Sequence, residues 1–287
     1  MQFTVKSQPE GGGGEGTLLE VRHLSLTYRT GGRVVRAVDD VSFSLERGRC
    51  LGIAGESGSG KSSLCRAVLA LEAGAKGEVL FDGADVLRMG RKELGAFRRR
   101  AQMVFQDPLG SLNPRMTAGA AITEVLRVHR QASGREEALR KAAGWLDTVG
   151  LDESYLGRYP HEMSGGQRQR VNLARALCTG AEFLIADEPV SALDVSVQAQ
   201  ILNLLKRLQR ERGITWILIG HDLAVMRHMA DDLLVMQKGR EVEKGLATEV
   251  LQKPGADYTR ELLAAVPDVE RALGERGEGC QRQTQVS

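Results

Sequence analysis

Residues 53–64 read IAGESGSGKSSL. An apolar run ends at Ile53, a turn rich in glycine and serine follows, and then come Lys61 and two hydroxyls, Ser62 and Ser63. Gly55 to Ser62 fits the pattern G-x-x-x-x-G-K-[ST]. The preceding CLGIAG reads as a short buried strand, and KSSLCRAVLALE places Leu64, Val68 and Leu71 on one helical face. A strand, a glycine-rich turn and a helix in that order are the setting in which this pattern cradles phosphate, a P-loop. Across Gly55, Glu56, Ser57, Gly58, Ser59 and Gly60 the glycines let backbone N–H groups turn inward onto phosphate oxygens. Lys61 is placed to reach the β- and γ-phosphates, and the Ser62 hydroxyl is the expected ligand of a Mg²⁺ ion. The helix N-terminus adds the positive end of its dipole.

Composition narrows what the bound phosphate serves. The 287 residues are 42% apolar and 26% charged, with a net charge of +2 and only 4% aromatics. A dedicated nucleic-acid binder shows a basic excess or stacking aromatics, and neither is present, so no nucleic-acid partner is expected. The four cysteines, Cys50, Cys65, Cys178 and Cys280, have no C-x-x-C spacing. They indicate neither a zinc site nor a redox pair, and they suit a reducing compartment. No stretch reaches the roughly 18 apolar residues that span a bilayer, and the first residues lack the apolar core of a signal peptide. Action at a membrane would therefore run through partners.

Outward from residues 53–64, LLEVRHLSLTYR and VVRAVDDVSFSLERG alternate as strands ahead of the P-loop, and GEVLFDG reads as a further strand after it. From Leu109 to Gly180 the pattern is mostly helical and charged. EFLIADEP and ITWILIGHD read as buried strands separated by a helix, which implies a parallel sheet. LLVMQKGREVEKG reads as a hairpin turning at Lys-Gly. Residues 1–16 are expected to be a flexible leader and 268–287 a polar tail. The fold class expected is α/β, a P-loop NTPase (RecA-like) core with an N-terminal antiparallel β patch and an inserted helical subdomain at about 107–175, the whole unit running over 17–267.

Two further stretches carry chemistry. FLIADE, 183–188, is an apolar strand ending in two carboxylates. Asp187 is positioned to hold Mg²⁺ through water, and Glu188 to polarise an attacking water. SGGQ, 164–167, opens a helix that Ser164 caps, with Gly165 and Gly166 permitting close approach of an anion before Gln167. Two helix starts of phosphate-binding type in one chain suggest that one copy's SGGQ closes on the nucleotide held by another copy's P-loop.

Together these stretches resemble the ATPase subunit of an ABC (ATP-binding cassette) transporter. The resemblance rests on the P-loop at 55–62, VFQD with Gln106, MSGGQ at 163–167, LIADEP at 184–189, SALD at 191–194 and GHD with His221, and it covers about residues 17–267. It implies ATP as the nucleotide with Mg²⁺, Tyr28 stacking on adenine and Gln106 ligating Mg²⁺ and sensing the γ-phosphate. It also implies Glu188 as the catalytic carboxylate, Asp194 as a contact between paired ATPases and His221 as a switch touching the γ-phosphate. FQDPLGSLNPRMT, RYPHEMSGGQRQRVNLARAL, ADEPVSALDVSVQAQILNLL and YTRELLAAVP are similar to the oligopeptide/dipeptide/nickel importer group, most of all to the second of its two paired ATPases. The partners implied are two membrane permease subunits, a second ABC ATPase that is a paralogue or an identical copy, and indirectly a substrate-binding protein, at the cytoplasmic face of the cell (inner) membrane. Departures are Met163 for Leu, Ser63 for Thr, Gly220 where Ser or Thr is usual, which is expected to loosen the strand end, and a tail with Cys280 alone. The short tail makes an iron–sulfur role doubtful and favours a nickel- or metallophore-type relative. Import of peptides is the main expectation. Import of nickel or a metal chelate, or service to a soluble enzyme complex such as one for phosphonate breakdown, are the alternatives.

Overall fold

A computed structural model describes residues 16–30, 33–105 and 108–265. The expected leader, apart from Gly16, and the expected tail with Cys280 lie outside the described residues, as does Gln106. Two sheets organise the rest. Strands β1 (Thr17–Thr30) and β2 (Arg33–Glu46) form a long antiparallel ribbon, and β3 (Cys50–Ala54) follows directly. After helix α1 (Lys61–Val68), β4 (Lys76–Phe81) and the short β5 (Ala84–Asp85) return to the ribbon, giving the order β2-β1-β4-β5. The antiparallel sheet therefore draws strands from both sides of the P-loop.

Helix α2 (Arg91–Arg100) leads into β6 (Ala101–Val104), and neither is evident in the sequence pattern. Only Phe97 of α2 is buried, so the helix has almost no apolar face to read, and β6 is four residues long. Four helices then succeed one another: α3 (Pro108–Ser111), α4 (Ala118–Val128), α5 (Arg135–Thr148) and α6 (Gly165–Leu177). The remaining chain alternates β7 (Phe183–Asp187), α7 (Val195–Arg212), β8 (Thr215–Gly220), α8 (Leu223–Met229), β9 (Asp232–Gln237), β10 (Arg240–Leu246), α9 (Ala247–Gln252) and α10 (Asp257–Ala264). The second sheet has the order β10-β9-β3-β8-β7-β6. Its five strands β9, β3, β8, β7 and β6 run parallel, and β10 closes the β9 edge antiparallel through the Lys238–Gly239 turn, where both residues have positive φ (49° and 84°).

The parallel strands are apolar throughout because both faces are covered. Side chains alternate between two cores with period two. Phe183, Ile185, Ile217, Ile219, Leu234 and Met236 pack toward α1 and the antiparallel sheet, with Leu19, Leu26, Val38 and Val79. Leu184, Ala186, Trp216, Leu218, Leu233 and Val235 pack the other way, toward α4 to α9. Arg47 and Arg100 clasp Asp82 and Glu182 at the far ends of the strands, an ion cluster that ties the antiparallel sheet to β7. Burial raises the Asp82 carboxyl, but bonds from Arg100 and Arg47 outweigh it and hold the group below its ordinary value.

Helix α1 ends at Val68, short of the Glu72 that its spacing suggests. Ala70 takes a left-handed φ of 48°, Ala70 N–H donates to Ala67 O at 2.9 Å and Leu71 N–H to Arg66 O at 2.9 Å. That pair of bonds is a Schellman stop made by alanine in place of glycine.

Candidate functional site

Register brings the chemical residues to one edge. Ala54 pairs with Gly220, Asp187 with Ile219 and Val104 with Ala186, so the carboxyl ends of β3, β8, β7 and β6 lie side by side. In open parallel sheets this edge is where ligands bind. The P-loop leaves β3, Asp187 and Glu188 end β7, and His221 follows β8.

Gly55 (φ 148°) and Gly60 (φ 104°) shape the loop. A Cβ on Gly55 would lie 2.2 Å from Met236 O, and one on Gly60 2.2 Å from Ala37 O, so only glycine fits at either point. Neighbouring backbone supports the loop from outside: Gly239 N–H donates to Ser59 O at 2.9 Å. Lys61 is 6% exposed and folded back, its Nζ donating to Gly55 O and Glu56 O, both at 2.7 Å. Burial lowers its pKa, against the pull of Glu188, Asp187 and Glu56.

The Ser62 hydroxyl donates to Asp187 Oδ1 at 3.1 Å, so the two residues expected to share a metal are adjacent. Asp187 is 5% exposed. Burial raises its pKa, the Ser62 bond opposes this and the Glu188 charge adds to it. Glu188 adopts φ 45°, a left-handed conformation that is strained for this residue type, and its N–H donates to Ile219 O at 3.0 Å. Its Oε1 lies 3.4 Å from His221 Nδ1. The histidine ring is largely exposed while the carboxylate is mostly covered.

Tyr28 is half-buried, and its hydroxyl lies 3.5 Å from Ser63 Oγ at the start of α1. This puts it beside the P-loop helix, with Ser63 as a neighbour that sequence spacing gives no reason to expect. Gly220 does not loosen β8: it keeps its register with Ala54, and the Met226 methyl lies 2.9 Å from where a Cβ would be.

The stretch 164–167 bonds within its own helix start. Among the described residues, no hydrogen bond or ion pair links 164–167 to 55–63. Ser164 caps α6: its N–H donates to Gln167 Oε1 at 2.9 Å and its Oγ accepts from Gln167 N–H at 3.3 Å. Gly166 has a second reason to lack a side chain, because a Cβ would lie 2.4 Å from Val197 Cγ1 in α7. Asp194 caps α7, accepting from Val197 N–H at 3.0 Å and Ser196 Oγ at 2.7 Å, and these bonds hold its pKa below the ordinary value. Tyr258 opens YTRELLAAVP, one of the stretches that carry the resemblance, but nothing in the sequence places it at the loop, where its hydroxyl accepts from the Glu56 N–H at 3.1 Å.

Comparison with known proteins agrees with this geometry. Residues 38–191 match the ABC transporter family. The oligopeptide transport ATP-binding protein OppF of Bacillus subtilis is 48% identical over 251 residues, covering 87% of this chain and 82% of that one. A putative peptide import ATP-binding protein of Brucella ovis is 45% identical over 253 residues, covering 88% and 80%. Among solved structures, the dimeric post-hydrolysis state of an ATP-binding cassette bound to ADP and Pi superposes with a TM-score of 0.72 at 30% identity, over 80% of this chain and 99% of that one. A cassette from Clostridium perfringens, part of an ABC transporter complex, gives 0.74 at 26% identity over 91% and 100%.

Proposed function

The chain belongs to the ABC transporter family, and from that premise we propose that it is the ATP-hydrolysing subunit of a peptide importer. The observation that carries the reading is the convergence of the P-loop, Asp187, Glu188 and His221 on one sheet edge, in a chain whose relatives are named for peptide transport. The names of the relatives favour peptides over nickel or a metal chelate.

On this reading ATP enters at the carboxyl edge of the sheet. Lys61 leaves the carbonyls of Gly55 and Glu56 for the β- and γ-phosphates, and the backbone of 55–62 wraps them. Glu188 accepts a hydrogen bond from the attacking water, with His221 beside it reaching the γ-phosphate. Gln106 is given its part at Mg²⁺ and the γ-phosphate by the family resemblance of VFQD. Tyr28 covers the adenine. A buried carboxylate bonded to a serine hydroxyl fits a Mg²⁺ site. A Mg²⁺ ion here would draw its other ligands from phosphates and water. Ser62, Asp187 and Gln106 would hold Mg²⁺, which when bound neutralises phosphate charge.

Two helix starts of phosphate-binding type with no hydrogen bond between them among the described residues favour a composite site. Ser164, Gly165, Gly166 and Gln167 of a second ATPase, identical or paralogous, would complete each nucleotide site, with Asp194 at the contact between the two. Closure on ATP and opening after hydrolysis drive two permease subunits through the difference in nucleotide affinity between the two states. The ATPase unit is residues 17–267, with the helical part at about 107–175 facing the permeases and a substrate-binding protein acting from the other side of the membrane. Among the described residues no helix is long and apolar enough to cross a membrane. On this reading the chain attaches at the cytoplasmic face through the permeases. Tagged chain recovered from detergent-solubilised membranes is expected to bring down two multi-span proteins. Recovery of soluble enzymes alone would refute the importer reading.

A further inference from the structure

The carboxy-terminal helix α10 reaches the P-loop through one side chain. Glu56 N–H donates to the Tyr258 hydroxyl at 3.1 Å, across 202 positions of sequence. Tyr258 is 8% exposed, so its ring is packed in the core and cannot swing freely. The helix that carries it is anchored at its start, where the Glu243 carboxylate of β10 accepts from Gly255 N–H at 2.7 Å and Ala256 N–H at 3.1 Å. Arg260 adds a bond to Pro254 O at 2.9 Å.

The peptide unit between Gly55 and Glu56 is held on both sides. Its carbonyl accepts from Lys61 Nζ at 2.7 Å, and its N–H donates to Tyr258. A peptide is planar and its N–H and C=O point in opposite directions, so fixing one fixes the other. Gly55, at φ 148°, has no Cβ to resist rotation of that plane. An unrestrained plane here would turn away the carbonyl on which Lys61 rests.

We propose that Tyr258 is a positioning residue for nucleotide binding: its hydroxyl fixes the Gly55–Glu56 peptide plane and so holds the loop and Lys61 ready for the phosphates. This rests on the reading of 55–62 as the nucleotide site and adds to it a residue that the loop pattern does not contain. Without the hydroxyl the loop samples more orientations, and binding must then order it, which lowers affinity. A tyrosine that only filled space would affect stability and leave affinity alone.

The test is Tyr258→Phe in the full-length chain, which keeps the ring and removes one oxygen. Three quantities are measured: affinity for a fluorescent ATP analogue with Mg²⁺, hydrogen exchange at the Glu56 amide, and the melting temperature. The loss of one buried hydrogen bond corresponds to about a five-fold rise in Kd. Exchange at Glu56 is expected to speed up in the variant, and the melting temperature to fall by no more than about 4 °C. A Kd within about 1.5-fold of wild type, with wild type binding normally, overturns the proposal alone. Wild-type chain that binds no nucleotide overturns the nucleotide reading, and the proposal with it.

Discussion

Gly166→Ala tests whether the start of α6 is held by packing as well as by its serine cap. A Cβ on Gly166 would lie 2.4 Å from Val197 Cγ1 and 3.7 Å from Val197 Cβ. Carbon atoms in contact prefer about 3.5–4.0 Å, so the nearer approach is a clash. Val197 sits in the first turn of α7, where a β-branched side chain strongly prefers one rotamer, so it cannot rotate away cheaply. Overpacking of this kind costs about 1–3 kcal/mol. Alanine is favoured over glycine inside a helix by about 1 kcal/mol, which partly offsets the clash. The single change is therefore expected to destabilise by roughly 0–2 kcal/mol. The sign in a second background is more decisive. With Val197→Ala the clash is gone and only the helix preference remains, so Gly166→Ala should then stabilise by about 0.5–1 kcal/mol. The coupling between the two changes is on the order of 1–3 kcal/mol. Urea titrations of wild type, both single variants and the double variant give the four midpoints, and a shared slope licenses their comparison. A coupling below about 0.5 kcal/mol, the scatter expected of independent sites, would refute the packing account.

Three further outcomes follow from the site. Glu188→Gln is expected to lower ATP turnover by about 10²–10⁴-fold while nucleotide binding persists; turnover within about three-fold of wild type would remove Glu188 from its role as base. Asp187 has a raised pKa in the folded chain because it is buried, so the stability it contributes is present below its unfolded value and is lost as pH rises through the folded value. Asp187→Asn should accordingly raise the urea midpoint of the nucleotide-free chain near neutral pH, with the gain shrinking toward acid pH, and a variant less stable than wild type at neutral pH would contradict this. Gly55→Ala places a Cβ 2.2 Å from a backbone oxygen at a φ of 148° and should cost at least about 2 kcal/mol, whereas Gly220→Ala meets only the Met226 methyl at 2.9 Å and should cost under about 1 kcal/mol, as thermal melts of the two variants would report.

The site was legible in the sequence wherever its chemistry is contiguous with the element that positions it. IAGESGSGKSSL contains its strand, its turn and its helix start, and FLIADE contains the strand that aims Asp187 and Glu188. The proximity of these two stretches also follows from pattern, because apolar runs such as FLIAD and TWILIG alternating with helices imply a parallel sheet whose carboxyl ends share one edge. Legibility stops where a side chain serves a distant backbone. The pattern of α2 and β6 is weak because arginine-rich RKELGAFRRR buries only Phe97. The glycine at 166 reads as room for an anion, but its sequence neighbours do not include Val197, the residue that occupies the space beside it. Tyr258 heads the family-like stretch YTRELLAAVP, but that stretch assigns its hydroxyl no partner, which it acquires only when the fold brings it to Glu56, 202 positions away. These contacts share a physical form: a rigid group from a late element fixes the backbone of an early one. The nucleotide loop takes its chemistry from residues 55–62, and its backbone is bonded from outside by Gly239 and Tyr258, both in the last third of the described chain. Substitutions near the carboxy-terminal end are therefore expected to weaken ATP binding at a loop that they do not alter in sequence.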